Sequence, residues 1–303
     1  MKEIVILSGK GGTGKTVILA SFASLAQNPV IADCDVDAPN LHLLLSPEVK
    51  ERGKFSSRKV AVIDGRACNN CKECLAACRF DALTTIGSGS VQRVAVDTNA
   101  CEGCGVCMRI CPSRAVKLVD QESGEWYISN TRFGPMVHAL LGPGGENSGK
   151  LVALVKQKAK VIANQSGART VLVDGPPGLS CPAISAAAGA DILVLVAEPT
   201  VSGLSDFVRI ADLCSHMKSN AALIVNRWDI NHGVTESIEH EAELREIESL
   251  GRIPYDERIP FSMAAAETPI ESRKGQARLA IIDVWRKLQE IGQSDVGKSG
   301  PGY

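Results

Sequence analysis

The feature that most constrains this chain is a glycine-rich loop near its start. Gly9–Thr16 reads GKGGTGKT and fits the pattern G-x-x-x-x-G-K followed by Ser or Thr. It follows an apolar stretch predicted as a strand and precedes a predicted helix. In such a loop backbone N–H groups surround phosphate oxygens, the lysine reaches the β- and γ-phosphates, and the last hydroxyl binds Mg²⁺. The sequence therefore predicts a nucleotide phosphate site made by Gly9, Lys10, Gly11, Gly12, Thr13, Gly14, Lys15 and Thr16.

Short apolar strands alternate with helical patterns along most of the chain. The predicted strands are Glu3–Leu7, Pro29–Ala32, Thr170–Val173, Ile192–Ala197 and Ala221–Val225. The predicted helices are Lys15–Ala26, Pro182–Ala188, Leu204–Met217, Thr235–Leu250 and Gln276–Ile291. Aromatic residues are only 4% of the chain, so Val, Ile, Leu and Ala must form most of the core, a mix typical of a buried parallel sheet. The alternation predicts an α/β fold, a parallel sheet with helices on both faces. Together with the phosphate loop, this arrangement resembles the P-loop NTPase fold.

Eight of the eleven cysteines form two evenly spaced runs. The first run is Cys68, Cys71, Cys74 and Cys78, and the second is Cys101, Cys104, Cys107 and Cys111. This doubled spacing is typical of bacterial ferredoxins, in which three cysteines of one run and the fourth of the other hold each four-iron cluster. It predicts two 4Fe–4S clusters, one held by Cys68, Cys71, Cys74 and Cys111, the other by Cys101, Cys104, Cys107 and Cys78. Zinc is the competing metal, but zinc sites usually pair two C-x-x-C units across a longer gap.

The cysteine runs lie in a stretch whose composition differs from the rest of the chain. From about residue 60 to 120, Cys, Arg, Asn and Gly replace the long apolar runs, which favours a small domain held by something other than a hydrophobic core. We therefore predict a small ferredoxin-like iron–sulfur domain at 61–120, inserted into a nucleotide-binding domain formed by 1–60 and 121–291. Residues 292–303, rich in Gly and Ser, are predicted to form a flexible tail.

An additional lysine, Lys10, makes the phosphate loop resemble that of the MinD, ParA and nitrogenase iron protein branch of P-loop ATPases. The resemblance implies that Lys10 reaches across a dimer interface to the partner's nucleotide. Asp35 resembles the family's first switch, which implies that it orients the attacking water; Asp37 is the alternative for this role. Asp174 ends an apolar strand and resembles the Walker B aspartate, which implies that it holds a water on Mg²⁺. The implied catalytic residues are Lys10, Lys15, Asp35 and Asp174.

Two further segments bear on the choice of base. Asn226-Arg227-Trp228-Asp229 resembles the family's adenine-reading Asn-Arg pair, yet it differs by one residue from the N-K-x-D pattern that reads guanine. Pro254-Tyr255-Asp256 resembles a segment that lies near the base in MinD-like ATPases. Because the resemblance extends along nearly the whole chain, it favours ATP over GTP, with Asn226, Arg227, Pro254 and Asp256 at the base.

Composition argues against some classes of partner. Lys and Arg together number 33 against 34 Asp and Glu, so no global field draws the protein to nucleic acid or to an anionic membrane. The longest apolar runs fall short of the ~18 residues that a membrane span needs, and no signal-peptide pattern is visible. We expect a cytoplasmic protein with neither nucleic acid nor membrane as a partner, whose cysteines bind metal rather than form disulfides.

Both motif sets together resemble MinD superfamily ATPases that carry an inserted two-cluster ferredoxin domain. The resemblance implies MgATP hydrolysis in a dimer, of this chain or with a related ATPase, coupled to electron transfer through the clusters to a redox partner. The alternative is an ATP-dependent carrier or scaffold for iron–sulfur or metal cofactor assembly, with an assembly protein as the partner. Carriers of the Mrp type typically have a C-x-x-C near the C-terminus, but no cysteine follows Cys214 here. A positioning ATPase like MinD is disfavoured because no basic amphipathic end is visible.

Two remaining residues have no assigned chemistry. Cys181 lies at the offset from Asp174 where the nitrogenase iron protein places a cluster ligand, but no second cysteine accompanies it between Cys111 and Cys181. We predict that Cys181 is a small packed residue at a helix start. His138 is predicted to be an ordinary hydrogen-bonded histidine rather than a ligand or proton carrier.

Overall fold

A computed structural model of the chain describes residues 1–88, 92–142 and 148–291. Within these residues the chain divides into two compact units. The larger unit comprises Met1–Gly53, Trp126–Leu140 and the described part of Ser148–Tyr303, and the smaller unit comprises Lys54–Glu125 and the described part of Leu141–Asn147. The predicted tail, 292–303, lies outside the described residues. The predicted domain at 61–120 stays a prediction.

A mostly parallel sheet organises the fold. The strands are β1 (Lys2–Leu7), β2 (Val30–Asp33), β3 (Glu48–Ile63), β4 (Leu83–Ile86), β5 (Arg93–Val96), β6 (Val116–Asn130), β7 (Pro135–Leu141), β8 (Thr170–Asp174), β9 (Ile192–Ala197), β10 (Ala221–Asn226) and β11 (Glu248–Ile253). Nine of them form one sheet in the order β11-β10-β9-β1-β8-β2-β7-β6-β3. From β11 to β7 neighbouring strands run parallel. The predicted α/β fold with a mostly parallel sheet is confirmed.

Helices follow most of the strands. They are α1 (Lys15–Leu25), α2 (Leu41–Leu45), α3 (Glu73–Ala76), α4 (Val106–Ile110), α5 (Ser148–Ser166), α6 (Cys181–Ala187), α7 (Val201–His216), α8 (His232–Glu243), α9 (Ile259–Ala264) and α10 (Gln276–Ile291). Phe22 of α1 packs on Trp285 of α10 with ring centroids 5.0 Å apart. Within the described residues, no helix combines the length and the apolar character needed to cross a membrane.

The central strands form the buried core of the sheet, and their carboxyl ends lie at the same edge. All six residues of β9 are buried, as are the last five of β1, which is why both are continuous runs of apolar residues. Because parallel strands share a direction, β1, β2 and β8 end at the same edge, at Leu7, Asp33 and Asp174. The loops that follow these three strands therefore meet there.

One predicted helix is wrong in its last part. The sequence predicts a helix over Thr235–Leu250, but α8 ends at Glu243 and β11 begins at Glu248. Leu250 and Ile253 are buried in β11, which pairs in parallel with β10. Long-range strand pairing overrides the local helical pattern here. Helix α5 was not predicted from the sequence; its apolar stripe buries Leu151, Val152, Val155, Ala159 and Ala163.

The smaller unit combines short strands and helices with parts of two long strands. Strands β4 and β5 form an antiparallel pair, accompanied by the short helices α3 and α4 and by parts of β3 and β6. Its buried apolar residues form two small clusters. One consists of Val60, Ala61, Ala82, Cys101 and Val116, and the other of Cys74, Leu83 and Val94. Cysteines thus belong to the core of this unit.

Candidate functional site

The phosphate loop joins β1 to α1. Gly14, directly before α1, has φ 93°, a left-handed conformation that favours glycine. A Cβ at this position would lie 2.4 Å from Nδ2 of Asn226. That Nδ2 donates to the Thr13 carbonyl oxygen at 2.7 Å, so Asn226 holds the loop backbone. The first N–H groups of α1 have no partner within the helix and are suited to bind an anion.

Side chains suited to Mg²⁺ meet between the phosphate loop and the end of β8. Thr16 Oγ1 donates to Asp174 Oδ2 at 2.7 Å, and Lys15 Nζ lies 3.6 Å from Asp174 Oδ1. Asp174 is only 1% exposed, and its Oδ1 accepts no hydrogen bond from the described residues. A buried carboxylate oxygen without a donor, next to a hydroxyl, fits a cation that prefers oxygen ligands. The structure therefore suits the predicted roles of Thr16 and Asp174, which stay predictions.

A second buried aspartate stands beside Asp174. Asp33, the last residue of β2, is in register with Asp174. Burial, and then the charge of Asp174, raises the pKa of Asp33 well above its ordinary value. One Asp33 oxygen accepts from the Asp35 N–H at 3.1 Å, and the other has no partner among the described residues. Sequence reasoning missed Asp33, because only the pairing of β2 with β8 reveals that the two carboxyls are neighbours.

The phosphate loop lines a cleft, and Asp35 and Asp37 line the same cleft. Burial raises the pKa of Asp35, while the charge of Lys15 opposes this effect. Asp35 is therefore a partly buried carboxyl close enough to Lys15 and Asp174 to sense their charges. Its predicted role in orienting water, and the choice between Asp35 and Asp37, stay predictions.

Lys10 contacts a loop of its own chain. Its Nζ lies 3.4 Å from Oε2 of Glu198 and donates to Oγ1 of Thr200 at 2.9 Å and to Oγ of Ser202 at 3.2 Å. Arg227 donates to the other carboxylate oxygen of Glu198 at 2.6 Å. One carboxylate thus neutralises two cations near the phosphate loop. The predicted reach of Lys10 into a partner stays a prediction.

The cleft has a volume of about 800 Å³, which is within the range of small-molecule sites. Its far wall consists of Ile253–Asp256 and residues from α9. Asp256 is 9% exposed, and its two carboxylate oxygens accept from the N–H groups of Arg258 at 3.1 Å and Ala277 at 3.3 Å. The predicted base residues Asn226, Arg227, Pro254 and Asp256 all line this cleft. The polar groups of Asn226 and Asp256 are already engaged by protein, and direct base contact stays a prediction.

The smaller unit contains two cavities lined by cysteines. The first, here called the Cys101 cavity, is lined by Cys78, Cys101, Cys104 and Cys107 among other residues. The second, the Cys68 cavity, is lined by Cys68, Cys71, Cys74 and Cys111. All eleven cysteines are free thiols. Each cavity therefore brings together three cysteines of one run and the fourth of the other.

Backbone groups point at two of these sulfurs. The Ala61 N–H donates to Cys101 Sγ at 3.4 Å, and the Ala115 N–H donates to Cys111 Sγ at 3.3 Å. The hydroxyl of Ser113 lowers the pKa of the Cys111 thiol. Such contacts stabilise a thiolate, the form of cysteine that binds metal.

The described residues include no group of three or more His, Cys, Asp and Glu side chains arranged to hold a single metal ion. In a four-iron cluster each cysteine binds a different iron, so its ligands lie further apart than those of one ion. The eight cysteines stay predicted ligands.

The two unassigned residues lie in the larger unit. Cys181, the first residue of α6, is exposed, so the predicted packed position is wrong. His138 lies on β7, where its Nε2 is 2.9 Å from the Ser129 hydroxyl and its ring stacks on Tyr127. Burial, and then the charge of His42, lowers the pKa of His138 to about 4. His138 is thus a neutral, hydrogen-bonded histidine at neutral pH.

Comparison with known proteins identifies similar sequences. The chain matches the family described as CobQ/CobB/MinD/ParA nucleotide binding domain over residues 4–270. An uncharacterized protein of Methanocaldococcus jannaschii is 34% identical over 292 residues, which are 95% of this chain and 97% of the relative. The similarity therefore includes the whole nucleotide cleft and the smaller unit.

Solved structures share the fold. The MinD cell division protein in a MinC:MinD complex of Aquifex aeolicus superposes with a TM-score of 0.56 at 21% identity, covering 100% of this chain and 99% of that one. MinD complexed with Mg-ADP from Pyrococcus horikoshii superposes with a TM-score of 0.55 at 16% identity, covering 96% of this chain and 97% of that one. At these identities the likeness shows a common fold.

Proposed function

The chain belongs to the CobQ/CobB/MinD/ParA nucleotide-binding family, and we propose that it is a MinD/ParA-type ATPase that couples MgATP hydrolysis to electron transfer through two 4Fe–4S clusters. One observation carries the proposal. The same chain contains a cleft on a phosphate loop and two cavities, each lined by four cysteines. The cleft has room for a nucleotide, and each cavity brings together four thiols, which is the donor set of a four-iron cluster.

In the nucleotide cleft each side chain has a separate task. The backbone of Gly11–Gly14 and the Lys15 ammonium bind the phosphates, and Thr16 directly and Asp174 through a water would hold Mg²⁺, which would neutralise phosphate charge. Asp35, which lines the cleft, accepts a hydrogen bond from the water that attacks the γ-phosphorus. The bond from that phosphorus to the bridging oxygen of ADP breaks, and ADP leaves with the oxygen. The superposed MinD that contains Mg-ADP supports this ligand choice.

Lys10 supplies the link to a dimer. In the single chain its ammonium pairs with Glu198. We expect ATP to draw Lys10 away from Glu198 to the phosphates of the partner, while Arg227 keeps Glu198 paired. Such a contact is charge-assisted and exists only in the closed dimer, so it favours association when ATP is bound. The partner is a second copy or a related ATPase.

In the smaller unit the proposal assigns one cluster to each cavity. Cys68, Cys71, Cys74 and Cys111 would hold one, and Cys78, Cys101, Cys104 and Cys107 the other. The N–H groups of Ala61 and Ala115 support the fit because they donate to cysteine sulfurs. A bound cluster accepts and releases one electron. The partner would then be a redox protein, or a cofactor-assembly protein if the chain is instead a carrier, and we propose that both meet in the cytoplasm.

The test measures the iron and sulfide content, the ATP hydrolysis and the coupling between the two sites in anaerobically purified protein. We expect about eight iron and eight sulfide per chain, together with Mg²⁺-dependent ATP hydrolysis. ATP affinity should differ between oxidised and reduced protein, because coupling between two sites is reciprocal. Equal ATP affinities in the oxidised and reduced protein would show that the two sites are not coupled and function independently.

Two other results would assign the chain to a different class. Transfer of the clusters to an apo-protein in step with ATP turnover would favour the carrier. An active ATPase without iron would favour a positioning role like that of MinD.

A further inference from the structure

The nucleotide cleft is lined in part by a residue whose backbone is held in place by two side chains. Tyr255 lines the cleft and is 49% exposed. Its N–H donates to Asp229 Oδ1 at 2.7 Å, and its carbonyl oxygen accepts from Nε2 of Gln276 at 3.1 Å. Two side chains, one before and one after it in the chain, thus fix both backbone groups of Tyr255.

The next residue strengthens this clamp. Asp256 accepts hydrogen bonds from Arg258 and Ala277, and the latter bond ties it to the start of α10. Gly275 packs against this carboxylate so closely that a Cβ would lie 2.0 Å from Asp256 Oδ2. Only glycine, here with φ 95°, lets α10 begin at this point. The segment that presents Tyr255 to the cleft is therefore anchored at three side chains.

The clamp on Tyr255 includes Asp229, the residue at the position of the aspartate in the guanine-reading pattern. In N-K-x-D the aspartate reads guanine, and Asp229 has that position in Asn226-Arg227-Trp228-Asp229. Here its Oδ1 accepts the Tyr255 N–H, and Asp229 is not among the residues that line the cleft. The amide of Asn226 is likewise committed to the Thr13 carbonyl. Asp229 is therefore engaged by protein, and the amide nitrogen of Asn226 is occupied although Asn226 lines the cleft.

We propose that Asp229 is a positioning residue that holds Tyr255 so that its ring forms the surface on which the nucleotide base stacks. This inference rests on the proposed nucleotide site and names how that site binds a base. Stacking on an aromatic ring gives affinity without reading base edges. The ring explains affinity for a purine, and the engaged Asp229 explains why the N-R-W-D segment does not select guanine.

The experiment measures nucleotide affinity in the full chain with matched variants. Titration with a fluorescent ATP analogue should show about a tenfold weaker Kd for Tyr255→Ala, whereas Tyr255→Phe stays within about twofold because its ring remains. Asp229→Ala should weaken binding by about fivefold through loss of the clamp. Asp229→Asn should recover most of the affinity, since its amide oxygen still accepts the Tyr255 N–H.

The Asp229→Asn variant also distinguishes a role in positioning Tyr255 from direct recognition of guanine. Guanine presents two adjacent N–H donors, which one carboxylate accepts and an amide does not, so a reading role predicts that Asp229→Asn destroys GTP binding. Wild-type preference for GTP that Asp229→Asn abolishes would overturn the inference, as would equal Kd values for ATP in Asp229→Ala and wild type. If Asp229→Ala melts early without nucleotide, the Tyr255→Ala and Tyr255→Phe pair decides. Wild type that binds no nucleotide would overturn the proposed function as well.

Discussion

In the larger unit the polar residues of the candidate site lie at the edge of the sheet, outside the apolar core. In the smaller unit some cysteines of the candidate site are part of the apolar core. Ile4, Ile6, Ile31 and Leu172 are fully buried in the sheet. In the smaller unit Cys74 and Cys101 belong to the apolar clusters themselves. The larger unit should therefore fold without its ligand, and the smaller unit should depend on what its cysteines bind.

The largest effect expected in the larger unit follows from Lys15→Ala. The ammonium lies beside Asp174 in a nearly buried position and is the group that we propose stabilises charge on the phosphates. Its loss should lower kcat for ATP hydrolysis by about a hundredfold or more, as measured by phosphate release. Iron content should stay unchanged, because the two sites have separate cores.

Lys150→Ala is the matched control, since Lys150 is exposed on α5. Normal hydrolysis in Lys15→Ala would contradict the site assignment. Loss of iron in Lys15→Ala would show that the smaller unit is not independent of the nucleotide site in the larger unit.

The next effect concerns the smaller unit and Cys74→Ser. Cys74 lines the Cys68 cavity and is buried in an apolar cluster, so the change removes a proposed ligand and part of a core. Iron per chain should fall from about eight to about four, and limited proteolysis should cut the smaller unit first. ATP affinity of the oxidised protein should stay within about twofold of wild type.

Cys181→Ser is the control, because Cys181 is exposed and lines neither cysteine cavity among the described residues. If both variants lose the same amount of iron, the grouping of ligands is wrong. Stoichiometric zinc in the wild type would replace the cluster assignment with a zinc site.

A buried ion cluster makes Lys156 the strongest stability determinant that we predict outside the site. Lys156 Nζ lies 2.6 Å from Glu3 Oε1 and donates to the carbonyl oxygens of Ala186 and Ala188. Lys156→Met leaves a buried carboxylate and two carbonyl groups without this partner. The free energy of unfolding should fall by about 3 kcal/mol.

Lys160→Met tests the same carboxylate more mildly. Lys160 pairs with Glu3 Oε2, but its side chain is 38% exposed, so the expected loss is about 1 kcal/mol or less. All three tryptophans, Trp126, Trp228 and Trp285, lie in the larger unit, so urea titration followed by tryptophan fluorescence reports on this unit. Equal losses in the two variants would contradict the role of burial.

The parts of both sites that were predictable from sequence are set by local spacing. A phosphate loop between a strand and a helix needs only consecutive residues, and Gly9–Thr16 has them. The cysteine runs also have a fixed spacing, which predicted the sets that the structure brings to each cavity. Their roles as ligands stay a prediction.

What the sequence did not reveal depends on contacts between distant residues. Asn226 and Thr13 are 213 positions apart, and Asp229 and Tyr255 are 26 apart, so no local pattern indicates that these side chains hold backbone. The pairing of β11 with β10 likewise ends the predicted helix early. The smaller unit has the opposite problem: spacing predicts the ligand sets, while its weak apolar pattern predicts few strands or helices.

The smallest effect that we predict is a pH dependence of the larger unit. Burial and His42 lower the pKa of His138 to about 4, from an ordinary value of 6.5. Between these two pH values the unfolded chain binds a proton at His138 that the folded chain does not. The free energy of unfolding should therefore fall as pH decreases from 6.5 to 4, with a contribution from His138 of about 1 kcal/mol given its partial exposure.

His138→Gln should flatten this decrease, because glutamine still contacts the Ser129 hydroxyl but does not titrate. His216→Gln, at an exposed position on α7, is the control and should leave the decrease in place. Tryptophan fluorescence during urea titration at pH 7, 6, 5 and 4 measures the difference in the larger unit alone. An identical decrease in His138→Gln and wild type would show that other groups cause it. A decrease that grows when the smaller unit loses its iron would show that the two units are not independently stable.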